Sequence, residues 1–127
     1  MNIIDENIIA SQCDFLQKWH IPFSQIGYGV GIKGMQDQEI ISLLHKLKRP
    51  TFFTRDDDFF NEDLCHSGYC LVYLDINKDE AAIYIRRLIR NINFNSQQKR
   101  LGNVLKISYS GLIVWKLNAE IPQKYFW

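Results

Sequence analysis

Long apolar runs are absent from this 127-residue chain. None approaches the roughly 20 residues that a membrane span needs. Cysteine is scarce as well. Cys13, Cys65 and Cys70 form an odd set with no Cys-x-x-Cys spacing, which argues against a disulfide framework and against zinc. "CHSGYC" (Cys65–Cys70) has no second pair of soft ligands to complete a metal site. The opening "MNIIDENIIA" lacks the basic region of a secretory signal. Reduced, mostly buried thiols in a cytoplasmic protein are the expectation. Internal repeats and low-complexity segments are also missing. His20, His45 and His66 show no spacing to one another or to a nucleophile, and read as bystanders.

Acidic residues are nearly missing from the last third. Residues 81–127 hold 8 Lys+Arg against 1 Asp+Glu, whereas residues 1–80 hold 7 against 13. The net charge of +1 conceals this division. An acidic half joined to a basic half suits a cation site beside a polyanion-binding surface. A dipolar surface that serves only solubility fits the counts equally well. Apolar residues at 46% and charged residues at 23% are ordinary for one globular domain spanning residues 1–127.

Periodicity orders the chain. "NII" (Asn2–Ile4) reads as a strand, and Ile8, Gln12, Phe15, Leu16 and Trp19 recur at helical spacing until Pro22. "FSQI" (Phe23–Ile26) is a second strand, followed by the glycine-rich "GYGVGIKG" (Gly27–Gly34). Asp37 stands where an N-cap belongs, ahead of a helical face of Ile40, Leu43, Leu44 and Leu47 that Pro50 ends. "TFFT" (Thr51–Thr54) and "YCLVYLDI" (Tyr69–Ile76) are strands three and four. Asn77 with Glu80 forms a capping-box pattern. The helix after it turns Ala81, Ile85, Leu88, Ile89 and Ile92 inward, with Arg86, Arg87 and Arg90 on the other side. "NVLKIS" and "LIVWKL", joined by "YSG", read as a terminal hairpin. This order predicts an α/β layer fold with a mainly parallel sheet.

The chemistry sits at the strand ends. Ligands of such sheets bind beyond the C-terminal strand ends, where the strand order reverses. Asp5 and Glu6 end strand one, and Asp56, Asp57 and Asp58 follow strand three. A 2-1-3-4 winding brings both groups into one crevice. Carboxylates so close repel, most strongly where water is partly excluded. A hard cation relieves this, and Mg²⁺ or Mn²⁺ commonly binds one or two carboxylates plus substrate phosphate. Phosphodiester hydrolysis is the reaction best served by that arrangement. The plainer reading makes Asp56 and Asp58 turn formers, Glu6 and Asn7 a helix start, and Asp37 a cap. Three aspartates in succession exceed what one turn needs.

"IIDENI" near the start, "DQEI" (Asp37–Ile40) and "FFTRDDDF" (Phe52–Phe59) resemble, in order and spacing, the PIN-like proteins of toxin–antitoxin type related to the VapC ribonucleases. The likeness continues through "CLVYLDI" and the final hairpin, and so covers most of the chain. It implies a three-layer PIN-like fold with a mainly parallel central sheet and a C-terminal β-hairpin. It further implies a ribonuclease using Mg²⁺ or Mn²⁺, of bacterial or archaeal type, acting as a toxin held by a cognate antitoxin. That antitoxin would be of helix-turn-helix type, and a homodimer is an assembly the family allows. By this resemblance Asp5, Asp56 and Asp58 take the metal-binding positions, with Glu6 and Asp37 as further catalytic acids. Asp57 falls on a variable position. Thr54 and Arg55, flanking the site, and the Arg86/Arg87/Arg90 face are the candidates for contacting RNA. "KWHIPFSQIG" departs from the pattern, being more aromatic than the family usually shows.

Three alternatives remain. Gly29-x-Gly31-x-x-Gly34 satisfies a dinucleotide fingerprint, although the helix starts only near Asp37, an anion where pyrophosphate would sit. A phosphoacceptor receiver domain would also place acids after strands one and three. It would want a hydroxyl where Asp75-Ile76-Asn77 stands, and a lysine ending strand five, whereas Lys106 lies inside its strand. A PIN-like scaffold without catalysis, serving as a binding module, is the third.

Overall fold

The computed structural model describes residues 1–127. Seven strands form one sheet: β1 (Asn2–Ile4), β2 (Ser24–Gln25), β3 (Thr51–Thr54), β4 (Cys70–Leu74), β5 (Asn103–Ser108), β6 (Gly111–Lys116) and β7 (Gln123–Phe126). Their order is β2-β1-β3-β4-β5-β6-β7. β2 to β5 pair parallel with their neighbours, and β5-β6-β7 are antiparallel. Strands one and three are therefore neighbours, and the order reverses at β1, as the 2-1-3-4 winding requires.

The parallel strands are apolar on both sides, and alternate residues serve opposite layers. Ile4, Phe53, Val72 and Leu105 lie in one register row and join the larger core. Ile3, Phe52, Leu71 and Val104 form the adjoining row and join the smaller one. Helix α1 (Ala10–Lys18) and helix α3 (Ala81–Arg90) cover the first face through Leu16, Ile85 and Leu88. Helix α2 (Asp37–Lys46) covers the second through Ile40 and Leu44. The three layers follow from this two-sided burial. The β1-α1-β2 and β4-α3-β5 connections cross the sheet in opposite directions over the same face, so they have opposite hands. One of them departs from the usual right-handed preference.

Several local expectations change. Gln36, not Asp37, caps α2: its side chain and that of Glu39 form a reciprocal capping box, and Asp37 is the first helical residue. Asn77 does cap, accepting from the Asp79 amide, but it opens a 3₁₀ turn over Lys78–Glu80, and Glu80 instead accepts from the Tyr109 hydroxyl at 2.7 Å. Ile92 lies beyond the end of α3 and is exposed, so the inward face stops at Ile89. A short helix α4 (Gln97–Arg100), capped by Ser96, lies between α3 and β5, where no element was expected. The terminal hairpin is extended by β7, and Tyr125 within it and Trp127 just after it pack against the larger core. At Gly111 the β7 backbone runs so near that an added Cβ would collide with the Tyr125 carbonyl. The three cysteines are free, with Cys13 and Cys70 buried. No helix is long and apolar enough to cross a membrane.

Candidate metal centre

The parallel strands end in polar residues because the ladder stops there and backbone groups need side-chain partners. Thr54, the last residue of β3, is buried and gathers three of them. Its hydroxyl donates to Asp5 Oδ2 at 2.6 Å and accepts from the Asp56 amide at 3.0 Å and from Asn7 Nδ2 at 3.4 Å. Asp5 is 6% exposed, and its other oxygen accepts from the Glu6 amide at 2.8 Å. Burial pushes the Asp5 carboxyl up. The Thr54 and Glu6 hydrogen bonds oppose that shift, and the Glu6 and Asp56 carboxylates add to it.

Beyond Thr54 the chain turns through a 3₁₀ helix over Asp57–Phe59. Asp56 caps it, Oδ1 accepting from the Asp58 amide at 3.0 Å. Phe59 is buried edge-on against Phe52, ring centres 5.2 Å apart, and pins the turn to the sheet. With Phe59 held inward, Asp56 and Asp58 face α2. Asp57 lies on the side of Tyr73 of β4, whose hydroxyl is pushed up by burial, then by Asp75 and then by Asp57.

The third carboxylate comes from the other side of the crevice. Residues 27–36 fold back on themselves, with Gly27 and Gly31 at φ +86° and +61°. A Cβ at Gly31 would lie 2.6 Å from Met35 Sδ, so the tight return needs glycine there. Glu6 Oε1 accepts from the Gly34 amide at 2.8 Å and ties this loop to the end of β1. The loop delivers the first turn of α2, and with it Asp37, to the aspartates after β3. One oxygen each of Asp37, Asp56 and Asp58 lies within 4.8 Å of the other two. Partial burial pushes the Asp37 carboxyl up, and Asp56 and Asp58 push it further.

The close trio thus contains Asp37 in the position that the sequence reading assigned to Asp5. Both Asp5 oxygens are engaged within the protein, directly behind Asp56. Glu6 serves as the loop tie. No cation balances the trio: the structure's one ion pair joins Lys106 to Asp75 at 3.6 Å. The Arg55 charge acts to lower the Tyr73 hydroxyl, and the Arg55 Nε is buried without a partner. Arg86 and Arg87 are not gathered at the acids. The Arg86 guanidinium lies 3.8 Å from the Trp19 ring centre, and that of Arg87 4.5 Å from Trp127. Arg90 is exposed at the end of α3, roughly 13 Å along the axis from Ala81. His45 and His66, unrelated by spacing, meet edge-on with ring centres 4.4 Å apart, beside Tyr69 and away from the acids.

Two recesses share this rim. One of about 580 Å³ is lined by Gln36, Asp37, Gln38, Asp56 and Asp58. Next to it, a smaller apolar slot of about 220 Å³ runs between Asp37 and Asp58 over Ile41, Phe59 and Leu64. An oxygen-only donor set, open to solvent on one side, suits a hard cation that keeps several waters. The glycine loop, by contrast, offers little to a nucleotide. The Gly27 amide donates to the Val30 carbonyl and the Gly34 amide to Glu6. Neither a protein-family model, nor a curated protein, nor a solved structure matches this chain.

Proposed function

We propose that this protein is a divalent-metal-dependent ribonuclease of the PIN-like type, acting as the toxin of a toxin–antitoxin pair. The observation that carries the reading is the approach of Asp37, Asp56 and Asp58 within 4.8 Å, with no basic partner, at the C-terminal edge of a parallel sheet. Asp37, Asp56 and Asp58 would hold Mg²⁺ or Mn²⁺. Such an ion, when bound, polarises a phosphate and lowers the pKa of a coordinated water. The chain's own residues supply the rest. Thr54 fixes Asp5 and the Asp56 backbone, so that Asp56 keeps one carboxylate oxygen free of its turn. Asp5, with both oxygens engaged by Thr54 and the Glu6 amide, holds the Thr54 hydroxyl in place beside the Asp56 backbone. The apolar slot over Ile41 and Leu64 accepts an unpaired base beside the phosphate, which favours single-stranded RNA.

A second reading has its own support. The Asp56–Asp58 cap and the Glu6–Gly34 tie show acids performing structural work, as a PIN-like binding module without catalysis would have them do. Cleavage of single-stranded RNA by Asp37→Asn and Asp58→Asn, with Mg²⁺ or Mn²⁺, separates the two. We expect both variants to lose cleavage while their circular dichroism spectra stay those of the parent. Full activity in both overturns the metal assignment, and an inactive parent protein leaves the binding module. Growth arrest on expression, relieved by a co-expressed neighbouring helix-turn-helix protein, is the result expected of a toxin. Unimpaired growth removes that part of the proposal.

A further inference from the structure

The opposite end of the sheet holds a positive charge that nothing in the fold neutralises. Arg100 ends α4 and is 5% exposed. Its Nε donates to Thr51 Oγ1 at 3.0 Å and its Nη1 to the Phe94 carbonyl at 2.8 Å. Both partners are neutral. The ionisable group felt most by the guanidinium is the Cys70 thiol, which burial pushes far up and so keeps uncharged at neutral pH. Buried charges are ordinarily paired, because an isolated one loses its hydration without return. Arg100 is an exception on the protein side.

Its remaining nitrogen explains the exception. Nη2 makes no hydrogen bond to the protein, yet it is not among the buried orphan atoms, which are Asn2 Oδ1 and Arg55 Nε. It therefore keeps access to the pocket of about 250 Å³ that Arg100 lines together with Met1, Asn2, Pro22, Phe23, Ser24 and Gln97. The Ser24 hydroxyl and the Gln97 amide are likewise free of intramolecular hydrogen bonds, and both residues are half-buried. Asn2 gives its Nδ2 to the Pro22 carbonyl at 3.0 Å and leaves Oδ1 without a donor. One buried guanidinium and two free polar side chains thus converge on a single small cavity, while Asn2 Oδ1 is closed off from solvent.

We infer that this pocket binds a phosphate group, seated on the Nη2 edge of Arg100 and reached by Ser24 and Gln97. Arginine presents donors in a rigid fork that matches phosphate oxygens. A phosphate also has more oxygens than the two of a simple carboxylate, enough to meet the guanidinium, Ser24 and Gln97 together. The site lies at the N-terminal ends of β1, β2 and β3, and the acidic trio lies at their C-terminal ends. It stands whether or not the acids hold a metal. Free phosphate and a phosphate monoester share the chemistry, and the cavity admits either.

The test is a titration of the full chain followed by ¹⁵N–¹H spectra, in EDTA and with ionic strength held by chloride. Inorganic phosphate and glycerol phosphate are titrated separately, with acetate as the third arm. We expect saturable shifts at low-millimolar phosphate in the Ser24 and Gln97 amides and the Arg100 Nε–H. Tighter saturation by one phosphate species identifies the source. Arg100→Ala removes bonds to Thr51 and Phe94 and is liable to unfold, so Gln97→Glu carries the mutational arm. It places a carboxylate beside the guanidinium, and we expect it to abolish the shifts while the rest of the spectrum is retained. Unsaturable shifts spread over the surface, or equal shifts in Gln97→Glu, overturn the site. Equal saturation by acetate overturns the phosphate assignment.

Discussion

Replacing Asp56 by Asn probes the acidic trio through stability alone. Asparagine retains an oxygen for the Asp58 amide, so the 3₁₀ cap at 3.0 Å survives and only the charge is lost. Two like charges 4.8 Å apart in a water-like dielectric repel by about 0.9 kcal/mol. A Debye length of about 8 Å at physiological salt reduces this to roughly half. Relief from Asp37 and Asp58 together then comes to about 1 kcal/mol, less whatever repulsion Asp58 exerts in the unfolded chain. In EDTA the variant should melt about 3–5 °C above the parent, scaled for a domain of this size. Mg²⁺ or Mn²⁺ should reverse the ranking. A ligand at 100 times its dissociation constant adds roughly 2.7 kcal/mol to the parent, and the variant has lost one of three ligands. Thermal melts of both proteins, with and without metal at matched ionic strength, are the assay. A variant less stable than the parent in EDTA, together with a parent indifferent to divalent ions, would refute the reasoning and make Asp56 a turn former only.

Thr54→Val removes the donor to Asp5 and the acceptor for the Asp56 amide, both in a buried setting. It should lower unfolding free energy by about 1–3 kcal/mol in urea titrations, and unchanged stability would mean that water replaces the hydroxyl. Asp5 predicts a pH dependence whose sign follows from its raised carboxyl pKa, set chiefly by burial. The folded state holds the proton more tightly than the unfolded chain, so this group's contribution falls as pH rises from the ordinary 3.8 through the raised folded value. Metal-free Asp5→Asn should therefore gain on the parent as pH rises through that window in urea titrations, and parallel profiles would contradict it. Arg86→Gln should cost about 0.5–1 kcal/mol by loss of its stacking on Trp19. If Arg86 also meets RNA phosphates, the salt slope of RNA binding should flatten in the variant; an unaltered slope leaves it a packing residue.

Much of the fold was legible because it rests on local periodicity. The short apolar runs in "TFFT" and "NVLKIS" and the 3.6-residue spacing in "IISLL" report burial directly, since side chains of a two-sided strand or of a helix face must meet a core. The resulting element order and the acids after strands one and three led to the crevice where β1 and β3 adjoin. Sequence gave no comparable signal for β7. "QKYF" is largely exposed and becomes a strand only because β6 offers it an unpaired edge, which Gly111 lets it approach. Neither could it tell Asp5 from Asp37. Both are aspartates at the start of a polar stretch, and one bond decides between them. Thr54, 49 residues away, claims the Asp5 carboxylate, while the glycine loop held by Glu6 swings Asp37 to within 4.8 Å of Asp56 and Asp58. Arg86 and Arg87 looked free beside the other arginine of their helix, yet Trp19 and Trp127 stack on them from segments far along the chain. Local sequence set which residues are polar, apolar or charged at each period. Which charges meet, and which are already taken, depends on long-range contacts that exist only once the sheet has brought distant strand ends together.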